Sequence, residues 1–445
     1  MNAHNRLAFA CAGALAALGL AWMLSPAWFV ACLKVPYSIP EIARAYLQLL
    51  ADLPWAILFA ATVLAATAAA TLLDRRRPVP GRAFRPLPPA SEALLYGALL
   101  LLGVWLSSRH YAYWSYPTWD LYWAFGEQLH RLLRHPEPQV LAEVQAFAHQ
   151  YPHSASPLTP FAIALGMFVF PHSLLLMQIL SAAATAASLA LLRALARRLA
   201  PAATFWPVGV LFLTNVATTR NAFFIQLDAI NGFFVLLFFH QWLRWRERPT
   251  RGRLAALCTV LSLGVLQKTT LFPLLAIPTL VAVVEPASGR RLDFARLLVT
   301  GLWTALVPAL VFLVYLGVFG FHGNFLSQVT LMGTGWNEID FSWQRFVLAS
   351  GFLLCPYLGL VSRNGSWREP AYQGLALFVV LFFASMVAVR GPFWGRYYSH
   401  VLGCWLLLAL PAWARDDSSG RRYARWTFLI GVGALQLMMM YRQII

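Results

Sequence analysis

The sequence predicts an all-α fold, a polytopic membrane helical bundle of about thirteen transmembrane helices. Three observations predict it. The 445 residues are 60% hydrophobic and only 11% charged, with a mean hydropathy of +0.62, a balance that a water-soluble chain of this length could not keep in solution. Apolar runs long enough to cross about 30 Å of hydrocarbon recur along the whole chain. Lys and Arg gather in short clusters between alternate runs.

Taken in order, the runs lie near 8–32, 53–73, 91–107, 158–192, 203–218, 222–243, 254–267, 269–284, 297–320, 346–361, 371–389, 398–413 and 424–441. The first, from Leu7 to Leu33, is too long for the apolar core of a signal peptide and reads as a retained span. The fourth exceeds one crossing, and Pro171 divides it into a short interfacial helix and a true span. With the N-terminus inside, about two thirds of the 34 basic residues fall on the inner side. RRRPVPGR, RALARR, RWRERPTRGR and RDDSSGRRYAR all land there, as solvated topology anchors.

The formal charge of +17 is therefore a topology signal, and nucleic acid is excluded as a partner. Cys11, Cys32, Cys258, Cys355 and Cys404 sit inside apolar stretches without metal-ligand spacing and read as small buried hydrophobes. The sequon at Asn364 to Ser366 falls on the inner side and carries no weight.

The longest outer loop, 108–157, is predicted to be ordered. WDLYWAFGEQLHRLLR places Leu121, Phe125, Leu129, Leu132 and Leu133 at helical spacing, with aromatic residues suited to the headgroup region. VLAEVQAFAH supplies a second helix after the break at Pro136 and Pro138. A second outer loop, 321–345, is polar and glycine-rich, with Asn337, Glu338 and Asp340. The expected organisation is one integral-membrane domain over 1–445: two N-terminal spans in 1–90, a core in 91–284 and further spans in 285–445, with no soluble domain.

Candidate chemistry collects on the outer side. Asp120 stands between large aromatics in YPTWDLYWAF, surroundings that suit a general base; the other reading is a helix N-cap made by Thr118 or Asp120. Asp228 lies one or two turns into the sixth run, where a charge must face a cavity or a cation, and Arg220 is its nearest cation in sequence. It reads either as a site residue or as half of a buried ion pair. Lys268 separates two runs of about fourteen residues, where it either reaches a lipid phosphate or snorkels to the headgroups. Arg390, Arg396 and Tyr397, with Tyr398 and His400 beside them, form either a phosphate clamp or a contact to bulk anionic headgroups. His153, near His149, suits a phosphate or a metal. Asp120, Asp228 and His153 are the candidate ligands should a divalent metal cation serve as cofactor.

An Asp just after an early span, then interfacial helices, then YPHSASPLTPF leading into the next span resembles the GT-C superfamily of glycosyltransferases. That group includes the protein O-mannosyltransferases and the aminoarabinose transferases that modify lipid A. The resemblance covers roughly 91–284 by order of elements, and the segment 390–400. It implies a polyprenyl-phosphate sugar as donor, a glycan, lipid or protein as acceptor, Asp120 as catalytic base and 149–157 as part of the donor site. It also implies a second acid near Asp228. The sequence departs from the pattern in two places: Asp120 is followed by Leu121 where many members have a second acid, and two extra spans precede the usual first one. A single base opposite an anionic leaving group would invert the anomeric carbon. The Arg and Ala richness and the lack of sorting signals fit a bacterial inner membrane, with a cytoplasmic N-terminus and a periplasmic active site. The rival readings are an O-antigen-type polymerase or ligase, resting on arginines and histidine, and a lipid-linked-sugar transporter or flippase.

Overall fold

The structure is a computed structural model. It describes residues 63, 65–74, 76, 85–110, 117–150, 157–170, 174–215, 218, 228–284, 294–319, 369–388, 398–413 and 422–444. Among these residues every regular element is a helix and no strand occurs.

After a helical stretch at 65–74, α1 (Pro89–His110) begins at a proline, which suits a first helical position because its missing N–H has no partner there in any case. Pro117 and Pro138 start the next two helices in the same way, α2 (Pro117–Arg134) and α3 (Pro138–Gln150). The break between them falls at His135–Glu137, where the sequence places it. α4 (Leu158–Gly166) and α5 (Leu174–Leu199) split the long fourth run, as expected. Next come α6 (Trp206–Thr214), α7 (Asp228–Glu247) and α8 (Arg251–Gln267). At the start of α8 the Thr250 side chain accepts from Arg253 N, capping the helix. A 3-10 turn (Thr269–Leu271) leads to α9 (Pro273–Val284), followed by α10 (Phe294–Phe319). α11 (Pro370–Ala388), α12 (Tyr398–Leu408), a second 3-10 turn (Leu410–Trp413) and α13 (Arg422–Ile444) complete the described elements.

α7 sits at the centre, packed on α5, α8 and α12, while α9 and α11 close the far side. Its apolar residues run nearly all round the helix, as a helix buried on every side requires. Phe238 stacks on Trp242 and Phe239 meets Trp242 edge to face within α7, while Phe239 meets Phe378 of α11 edge to face across the helix contact. α7 and α12 approach closely because both present glycine at the crossing. A Cβ on Gly232 would come 3.0 Å from the Ser399 carbonyl oxygen, and one on Gly403 would come 2.8 Å from Leu236 Cδ2.

α2 packs against the bundle. Phe125 and Leu129 are buried with Val140, Val144 and Ala148 of α3, against Val265 of α8 and Phe312 and Leu316 of α10. Leu133, expected on the same stripe, is exposed. Gly126 lets α2 touch α4, since a Cβ there would stand 2.7 Å from Ile163 Cγ2.

Two helices, Ile179–Leu199 and Thr300–Phe319, are long and apolar enough to cross a membrane. The second carries Leu302, Leu306, Leu310, Leu313, Val314 and Val318 exposed on its surface, a row that water tolerates poorly. Two expected spans are shorter than read from sequence. The run 203–218 gives α6, nine residues ending at an extended Asn215, and 398–413 gives the eleven residues of α12 followed by a 3-10 turn. At 1.5 Å per residue these reach about 14 and 17 Å, roughly half a bilayer core. The runs 8–32 and 346–361, most of 53–73, and the outer loop 321–345 lie outside the described residues.

One long-range contact ties the beginning of the chain to its end. Asp74 accepts the backbone N–H groups of Tyr423 and Ala424 at 3.3 and 3.0 Å, so a carboxylate caps the first turn of α13. Those N–H groups have no partner inside the helix, and the helix dipole favours a negative charge there.

Candidate functional site

Three chain segments that the sequence places on the outer side meet at one end of the bundle. The first turn of α7 supplies Asp228 and Asn231. The turn after α8 supplies Lys268, whose extended backbone (φ −163°, ψ 135°) ends the helix. The first turn of α12 supplies Ser399 and His400. The opposite ends of α7 and α8 carry a different set, with Glu247 3.4 Å from Arg198 and Arg253 donating to the Arg244 carbonyl.

Lys268, His400 and Asn231 converge on one oxygen of Asp228. Lys268 Nζ lies 3.0 Å from Asp228 Oδ1, and His400 Nε2 lies 3.2 Å from the same atom. The Asn231 side-chain Nδ2 is 3.2 Å from Asp228 Oδ1 and 2.8 Å from His400 Nε2, so one amide hydrogen can serve each. Ser399 Oγ donates to the Asp228 backbone carbonyl at 3.2 Å, locking α12 to α7 beside the Gly232 crossing. The Asp228 side chain is 3% exposed, that of His400 0% and that of Lys268 14%. The ring of Phe382 meets His400 edge to face at 5.3 Å.

Burying an ammonium and a carboxylate costs several kcal/mol each before their attraction is counted, which makes the pair a questionable source of stability and a good candidate for function. Beside it a small crevice runs into the bundle between α5, α7 and α12, lined by Thr185, Ser188, Thr218, Asp228 and Ser399 among others. Thr185 and Ser188 donate to carbonyls of their own helix, at 3.0 and 2.7 Å, which leaves their oxygens as acceptors. On the other side, Gln267 Oε1 accepts from Thr159 of α4 at 2.9 Å, linking the Lys268 turn to the layer made by α2 and α4.

Set against the sequence reading, Asp228 stands in the first turn of its helix instead of one or two turns inside it. Its cation is Lys268, forty residues on, whereas Arg220 lies outside the described residues. His153, Arg390, Arg396 and Tyr397 lie outside them too. Asp120 belongs to the first turn of α2, and its side chain is likewise outside the description. The sequence gives no role to Asn231, Ser399 or Gln267, and it places His400 only beside the arginines. Asn231 alone carried a local signal, being three residues from Asp228 and so on the same helix face.

Among the described residues no three His, Cys, Asp or Glu side chains cluster as a metal site. A cation bound at Asp228 would have to displace Lys268. Comparison with protein-family models, with curated proteins and with solved structures finds no match.

Proposed function

We propose that the chain is a multi-pass inner-membrane glycosyltransferase that moves a sugar from a polyprenyl-phosphate carrier to an acceptor at its outer face, with about thirteen spans and a cytoplasmic N-terminus. The observation that carries this reading is the meeting of Asp228, Lys268 and His400 at the end of the bundle that the distribution of basic residues marks as outer. A lipid-phosphate donor asks for cations near the headgroup level, and a lysine held in place by a buried carboxylate is such a cation.

In this reaction the acceptor O–H or N–H attacks the anomeric carbon while the bond from that carbon to the phosphate oxygen breaks. The bonding electron pair leaves with the phosphate, and Asp120 takes the acceptor's proton. Lys268, with Arg390, Arg396 and Tyr397, holds the phosphate, assisted by His153 and Arg220, and attack opposite the leaving group inverts the anomeric carbon. Asp228 positions Lys268 and keeps the Asn231 amide as a hydrogen-bond donor when Lys268 turns to the donor sugar.

The test is transfer from a panel of radiolabelled polyprenyl-phosphate sugars by purified protein and by Asp120→Asn and Lys268→Met, with cell-envelope extract as acceptor. Transfer by the wild type that is lost in both variants supports the reading. Transfer that persists in Asp120→Asn but fails when Arg390 or Arg396 is changed favours a polysaccharide polymerase or ligase. A second reading, a carrier of lipid-linked sugars, draws on the buried pair beside a polar crevice, a combination that also suits ion-coupled transport. It expects uptake of the labelled lipid across proteoliposomes with the sugar still attached.

A further inference from the structure

The corner where α2 crosses α4 carries a surface that the proposed chemistry does not use. α4 buries Ile163 and Ala164 and leaves Phe161 and Leu165 exposed one turn apart, and Phe168, Val169 and Phe170 follow exposed in the turn after it. These five side chains are between 41% and 70% exposed, an apolar ridge with no described element over it.

Basic side chains of α2 border the ridge. Arg134, in the last turn, holds its guanidinium 5.7 Å above the Phe168 ring. His130 packs on the same ring at 4.5 Å, and its Nδ1–H donates to the Ala164 carbonyl at 2.8 Å, fixing α2 to the end of α4. Arg131 is engaged by Glu143 at 2.7 Å, whereas no carboxylate among the described residues pairs with Arg134.

We propose that this corner seats a bilayer phospholipid, with its acyl chains along Phe161, Leu165 and Phe168 and its phosphate on Arg134. The two halves of the surface select that occupant together. The ridge needs a long apolar partner, and a guanidinium held over a ring presents a planar donor fork that fits phosphate oxygens. A free phosphate would use only the second half, and an apolar peptide only the first. Seated in this way, the lipid holds α2, and with it the first turn that contains Asp120, at the membrane surface. The inference rests on the reading that the bundle lies in a bilayer.

The test uses full-length protein, with its native cysteines replaced by alanine, in vesicles of phosphatidylethanolamine and phosphatidylglycerol. Spin labels are placed one at a time at Val169→Cys and at Leu313→Cys on the outer face of α10, and relaxation by oxygen is compared with relaxation by an aqueous nickel chelate. Both labels should favour oxygen. Leu313 in lipid with Val169 in water would overturn this inference and leave the membrane reading standing; Leu313 in water would overturn both. In parallel, phosphatidylglycerol retained by detergent-purified protein is counted by native mass spectrometry. Arg134→Ala should retain roughly fivefold less, the worth of one basic side chain at an anionic surface, and Arg131→Ala should match the wild type. Equal retention by Arg134→Ala and the wild type would remove the phosphate contact and overturn the proposal.

Discussion

Replacing Asp228 by Asn leaves the Lys268 ammonium buried without its counter-charge, and the size of the effect can be worked from the geometry. At 3.0 Å and an effective dielectric constant near 20, the attraction between the two charges is about 5.5 kcal/mol. Desolvation of both groups offsets most of that in the intact pair, but a variant that removes one partner still carries the other group's desolvation. The expected cost of Asp228→Asn is therefore about 3–5 kcal/mol, and Lys268→Met falls in the same range. The double variant Asp228→Asn with Lys268→Met removes both charges and should recover most of the loss, because a buried pair replaced as a unit is often close to neutral. Thermal unfolding in detergent is the assay. Each single variant should melt on the order of 3–5 °C lower, with the double variant within about a degree of the wild type. Two losses that simply add in the double variant would show that the charges are not coupled, and the site geometry would be wrong.

Three further outcomes follow from the packing. Asp74→Ala removes the carboxylate cap from α13 and should cost about 1 kcal/mol, read as a lower melting temperature and faster amide exchange at Tyr423 and Ala424. Gly232→Val forces a side chain against the Ser399 carbonyl, where backbone must move, and should cost about 1–3 kcal/mol while disturbing the Asp228 cluster; Gly403→Ala meets only the flexible end of Leu236 and should be milder in the same melting assay. Leu306→Arg places a charge in the exposed apolar row of α10 and should lower membrane insertion by about 3 kcal/mol, measured as the fraction of glycosylation-tagged segment that spans microsomes; insertion equal to the wild type would show that this face does not meet lipid.

The helices that match the sequence reading best are α1, α10, α11 and α13, because each rests on one long apolar run that no cluster of turn-forming residues divides. α2 and α3 are legible for another reason: their apolar residues recur at helical spacing, and prolines mark where each begins. α6 and α12 show where hydropathy misleads. A run average passes smoothly over Asn215, and over the Leu410–Trp413 turn, although the backbone leaves the α-helix there. The site was legible in its parts and not in its pairings. Asp228 and Lys268 stand out as charges in apolar surroundings, but Arg220 is nearest to Asp228 in sequence while Lys268 is nearest in space. His400 comes to Asp228 only because glycine at position 232 lets α12 lie against α7, a fact of packing that no periodicity encodes.

The most direct test of the central claim is a single assay: release of polyprenyl phosphate from a radiolabelled polyprenyl-phosphate sugar, with appearance of the label in an envelope acceptor, by purified wild type and by Asp120→Asn matched for folding by melting temperature. The account predicts stoichiometric release and transfer by the wild type, with at least a hundredfold loss in Asp120→Asn, the range expected when a general base is removed. Equal transfer by both would move the chemistry away from Asp120, and no release from any donor by a well-folded wild type would contradict the glycosyltransferase reading itself.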